Sequence, residues 1–185
     1  MLTTTCSVFL FISLHCRRLD GKVIDNRGVG GCAEAAFPYI IENPRQLTAA
    51  QIYEEVQRVF ERLMKQGNGA IEIHEWHFMH LIYEYLGIRF RVSYEELEEI
   101  EWRAASEGAV MSYAAELLDY LNASGIRTAV ISNICWSGKA LTNRLNRLLP
   151  HNRFEFVMAS SEYILRKPDQ MLFETALRKA GVRAD

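Results

Sequence analysis

A chain of 185 residues can hold one sizeable core, or a core with a small inserted domain. Hydrophobic residues at 49% and charged residues at 24% match an ordinary soluble globular protein, and a formal net charge of −2 gives no basic surface for nucleic acid. The four cysteines, Cys6, Cys16, Cys32 and Cys135, lack metal or redox spacing, so reduced thiols in a cytoplasmic protein are expected.

The first strong feature is the apolar run at residues 8–14. It is too short to cross a bilayer as a helix. No basic residue precedes it and no small-x-small site follows, so a buried first strand is preferred to a signal-peptide core, and no membrane partner is expected. Arg17-Arg18-Leu19-Asp20-Gly21-Lys22 comes next, then the glycine-rich residues 28–31. Those glycines are too few and wrongly placed for a dinucleotide loop, and read as a flexible hinge.

The middle of the chain reads as four helices. Residues 33–42 form the first. Thr48-Ala49-Ala50-Gln51 is a capping box opening a helix to about residue 66, with Ile52, Val56, Val59, Phe60 and Leu63 at the helical period. Gly67-Asn68-Gly69 stops it. Residues 71–86 form the third, ended by Gly87, and Ser93-Tyr94-Glu95-Glu96 opens the fourth towards Ser106. His74, His77 and His80 recur every third residue on the third helix, a spacing that can bind zinc. The His-Glu-x-x-His pattern is missing, and Trp76, Phe78 and Tyr83 mark a packed aromatic helix, so packing or substrate contact is the preferred role. The acidic run Glu95, Glu96, Glu98, Glu99 and Glu101 reads as a solvated face.

From Met111 the pattern changes. Ser112 is placed to cap a helix bearing Ala115, Leu118 and Leu121, which ends at Ser124-Gly125. Thr128-Ala129-Val130-Ile131-Ser132-Asn133 then reads as a strand buried on both faces, with a helix over residues 137–149 after it. Ser132 falls at the strand's carboxyl end, where open α/β sheets hold ligands. Its hydroxyl, nearby backbone N–H groups and the start of the next helix together make a place for an anion, most naturally phosphate. The plain alternative is that Ser132 and Asn133 only form a turn and a cap. A second strand at residues 154–161 ends in Ser-Ser, followed by Glu162. Arg166-Lys167-Pro168-Asp169 then opens a helix carrying Ala176, Leu177 and Ala180. This alternation implies parallel strands with right-handed crossovers.

A strand ending in Ser-Asn, a helix, a second strand, Ser-Ser-Glu, and Arg-Lys-Pro-Asp before a helix resembles the haloacid dehalogenase-like (HAD) hydrolases with a helical cap. The resemblance extends from about Leu19 to the end of the chain. It implies an α/β fold, with a Rossmann-like parallel sheet core at residues 1–27 and 109–185 and an inserted α-helical cap at residues 28–108. It implies phosphoryl transfer from a small phosphorylated substrate through an aspartyl-phosphate, with magnesium (Mg2+). Ser132 and the Asn133 backbone would hold phosphoryl oxygens, and Lys167 would balance charge. Asp20 would be the general acid and base, and its backbone carbonyl a metal ligand. The cap would close over the site and select the substrate. Dehalogenation of a small haloacid is a second option within the family.

The chain departs from the family at the nucleophile, where Arg18 stands in place of an aspartate. A guanidinium has no lone pair for attack. At about 4 Å from a divalent cation it would be repelled by roughly 8 kcal/mol at an effective dielectric of about 20. A pseudoenzyme, an altered reading frame before about Leu19 and a displaced alignment are the explanations, with sequence damage preferred. The family's next strand and its acidic magnesium motif would follow Asp185, so the sheet is expected to be incomplete there. As written, the chain is expected to be inactive or very weakly active. A reading of a different class is a non-catalytic phosphate-binding or regulatory module, with Arg18, Ser132 and Lys167 as an anion cradle.

Overall fold

The computed structural model describes residues 27–66 and 70–182, which divide between Glu107 and Gly108 into two compact units. Arg18, Asp20, Lys22, the apolar run at 8–14 and the helix stop at 67–69 lie outside the described residues.

The first unit is mostly helical. Helix α1 spans Arg27–Ala36, so the glycines expected to form a hinge are helical instead. Close packing is the reason at Gly31, where a Cβ would stand 3.3 Å from the carbonyl oxygen of Ala104 in α4 (Tyr94–Ala105). Pro38 keeps the helix from running on to residue 42. Residues 37–39 instead make a 3-10 turn, and β1, Ile40–Glu42, pairs antiparallel with β2, Arg89–Phe90. A ribbon this short has too few residues to show a period of two in the sequence.

Helix α2, Ala49–Gln66, starts on the expected capping box. The Thr48 N–H donates to Gln51 Oε1 at 2.9 Å, and the Gln51 N–H to Thr48 Oγ1 at 3.3 Å. Helix α3 runs over Glu75–Leu86 and not from residue 71. His74 is its N-cap, its Nδ1 accepting the Trp76 N–H at 3.1 Å, while His80 Nδ1 lies 2.8 Å from Glu84. His74 and His80 thus take separate roles along the helix, and no group of three or more metal-ligating residues is assembled among the described residues.

Helix α4 opens on the expected Ser93 and Glu96 capping box. Its acidic run is not one solvated face: Glu98 and Glu101 are 0% and 4% exposed. Their spacing of three puts both on the side of α4 that faces α3. Trp76 Nε1–H donates to Glu98 at 3.0 Å and the Tyr83 hydroxyl to Glu101 at 2.6 Å. Burial pushes the Glu101 carboxyl up to about 8, with the Tyr83 hydrogen bond opposing and the charges of Glu75 and Glu98 adding.

The second unit carries the α/β pattern. It contains α5 (Ala114–Ala123), β3 (Thr128–Ser132), α6 (Gly138–Leu148), β4 (Phe154–Ala159), α7 (Ser160–Tyr163) and α8 (Gln170–Ala180). Ser112 does not cap α5; Tyr113, at φ 65°, occupies the N-cap and makes no side-chain capping bond. Strands β3 and β4 are parallel, with Val130 opposite Val157, Ile131 opposite Met158 and Ser132 opposite Ala159. Ser160 and Ser161 start α7 and do not extend β4. Helix α8 covers one face of the pair through Ile131, Met158, Leu172 and Ala176. The α/β class read from the sequence is the class of the fold, with two parallel strands among the described residues. None of the described helices is long and apolar enough to cross a membrane.

Glu101, in the helical unit, gives the fold a signed pH dependence. The folded chain keeps a proton that the unfolded chain releases above an ordinary glutamate pKa of about 4.3. Stability therefore falls as pH rises from there to about 8. Replacing Glu101 by Gln removes that loss, so the melting temperature of Glu101→Gln relative to the parent should climb across pH 5–8. A constant difference would contradict the assignment.

Candidate active site

Side chains alternate along a strand, so Ile131 in the α8 core turns Ser132 to the other face of the sheet. Ser132 is 1% exposed, and its hydroxyl has no hydrogen-bond partner among the described residues. Leaving a buried hydroxyl unpaired costs about 1–3 kcal/mol. Thr128, at the opposite end of β3, shares this condition. Ser132 differs in its neighbours.

Lys167 Nζ donates to the carbonyl oxygen of Ile131 at 2.8 Å, which places the ammonium beside the residue that carries the orphan hydroxyl. Burial holds that ammonium below the ordinary lysine range. The Lys167 main chain is gripped at two points by the Asn133 side chain. Its N–H donates to Asn133 Oδ1 at 2.7 Å, and Asn133 Nδ2 donates to its carbonyl at 2.9 Å. Ser132, Asn133 and Lys167, all singled out in the sequence, therefore meet at the carboxyl end of β3. Arg18 and Asp20 lie outside the described residues.

The loop between β3 and α6 is fastened to α7. The Ile134 N–H donates to Ser160 Oγ at 2.9 Å, and Ser161 Oγ donates to the Trp136 carbonyl at 2.7 Å. At the start of α6 two backbone N–H groups are taken by side chains of the chain itself. Ser137 Oγ takes the Ala140 N–H at 3.0 Å, and Glu162 Oε1 takes the Gly138 N–H at 2.8 Å. A Cβ on Gly138 would meet the Glu162 carboxylate at 2.6 Å, so this helix end already carries a negative group from the chain itself. Glu162 is the participant that sequence reasoning left without a role. Its partner is 24 residues away, and no local spacing marks the pair.

A hydroxyl and an ammonium at the end of parallel strands suit an anion with several oxygens. The same donors do not fit magnesium, which takes oxygen ligands and usually a carboxylate. A Ser132→Ala variant separates function from stability here. Removing the orphan hydroxyl should leave the melting temperature unchanged or raise it, by up to about 1 kcal/mol in stability, while weakening phosphate binding. A clear loss of stability would show that the hydroxyl has a structural partner.

No family model and no curated protein matches the chain. Among solved structures it is similar to a dehalogenase, at 14% identity and a TM-score of 0.47, over 100% of this chain and 75% of that one. A dehalogenase with an intermediate complex is similar at 15% identity and a TM-score of 0.47, with the same coverage. A HAD family enzyme from Bacteroides thetaiotaomicron is similar at 16% identity and a TM-score of 0.49, over 96% of this chain and 79% of that one.

Proposed function

We propose that the chain is a HAD-like hydrolase whose second unit carries the phosphoryl-binding half of the site, and that its substrate is a small phosphate ester. The observation that carries this reading is the buried Ser132 hydroxyl, without a hydrogen-bond partner among the described residues, with the Lys167 ammonium on the carbonyl of the preceding residue, Ile131. In a phosphatase, Ser132 would donate to a phosphoryl oxygen. Lys167 would offset negative charge as the phosphoryl group leaves one oxygen for another. Magnesium, when bound, would supply further positive charge on the phosphoryl oxygens; the backbone carbonyl of Asp20, which lies outside the described residues, would be one of its ligands. Asp20 would also give a proton to the leaving oxygen and later take one from water.

Arg18 favours a second reading, in which the chain binds phosphate without turning it over. A guanidinium holds phosphate oxygens well and cannot attack phosphorus. Magnesium-dependent release of phosphate from p-nitrophenyl phosphate distinguishes the two. The chain as written should turn over weakly or not at all. Arg18→Asp should raise the rate by about 100-fold or more, and Lys167→Met or Asp20→Asn in that background should remove the gain. If Arg18→Asp stays at the parent rate while phosphate still binds without magnesium, the binding module replaces the hydrolase.

A further inference from the structure

We propose that Asn133 is a positioning residue, whose side-chain amide sets where the Lys167 ammonium stands relative to the Ser132 hydroxyl. The inference rests on the phosphate-site reading and gives Asn133 a different task from contacting the anion through its side chain. Its Oδ1 and Nδ2 both engage one residue's main chain, at 2.7 and 2.9 Å, across 34 positions of sequence. The side chain thus mimics one rung of a sheet ladder between two loops that have no strand to join them. The amide suits this because it presents one donor and one acceptor side by side and carries no charge. Aspartate would set an oxygen against the Lys167 carbonyl and a negative charge beside the ammonium. The lysine side chain starts from this fixed main chain and ends on the Ile131 carbonyl, 2.8 Å from Nζ. Lys167 is therefore hydrogen-bonded to the residues on either side of Ser132, through its main chain to Asn133 and through its ammonium to Ile131. The other fasteners, Ser160 and Ser161, hold residues 134 and 136 and do not hold the lysine.

The test uses the full chain, inorganic phosphate as the probe and calorimetric titration at pH 8. Lys167→Met should weaken phosphate binding by about 10- to 100-fold, as expected for loss of a charged hydrogen bond. Asn133→Ala should weaken it about tenfold, and the double variant should bind no worse than Lys167→Met alone, because coupled residues do not lose affinity independently. Asn133→Gln, which keeps the donor and acceptor on a longer arm, should recover part of the affinity. In the parent, affinity should fall on raising pH through a point below the ordinary lysine range, and in Asn133→Ala that fall should move upward. Asn133→Ala binding like the parent, or losses that multiply in the double variant, would overturn the positioning role. If Asn133→Ala does not fold, the same cycle with Asn133→Gln decides by the same rule. Phosphate binding unchanged by Lys167→Met would instead remove the phosphate-site reading itself.

Discussion

Parallel pairing of β3 with β4 is the constraint on which the candidate site depends. It aligns the two carboxyl ends, Ser132 opposite Ala159, so the loops that leave both strands emerge side by side. A slip of one residue would turn Ser132 into the α8 core and expel Ile131 from it. The apolar contacts of Ile131 with Met158, Leu172 and Ala176 hold the register against that slip. The hydrophobic packing on one face of the sheet thereby fixes the direction of a polar group on the other.

Polar stitching then shapes what the register brings together. Asn133 ties the lysine loop to the end of β3, and Ser160, Ser161 and Glu162 tie the β3–α6 loop to α7. These groups satisfy one another. Among the described residues Ser132 has no partner of this kind, and a buried hydroxyl left unpaired carries a cost in stability. Such local departures from full satisfaction are commonly found where a protein meets a ligand. The Glu162 carboxylate at the α6 N-terminus sharpens the location, since it supplies the negative charge that this helix end favours.

The helical unit follows a different rule. Its polar burial is internal, with Glu98 and Glu101 of α4 taken by Trp76 and Tyr83 of α3. Burying a carboxylate is costly unless it is protonated or paired. Glu101 meets that requirement by holding its proton up to about pH 8. A row of acids that would dissolve one face of an isolated helix becomes part of the seam between two helices.

Local signals in the sequence determined the capping boxes at Thr48 and Ser93, strand β3, helices α6 and α8, and the α/β class, because each depends on residues a few positions apart. The Ser-Asn and Lys-Pro segments were legible as candidate site residues for the same reason. Their mutual geometry was not, since the Asn133 grip on Lys167 spans 34 positions. Tertiary packing alone decided that α1 would absorb its glycines, because Gly31 is wanted where the backbone of α4 comes close. It also decided that Glu98 and Glu101 would be buried, and that Glu162 would sit at the start of α6. In each case the deciding partner is distant in sequence, and only folding brings the two within reach of a hydrogen bond or a van der Waals contact.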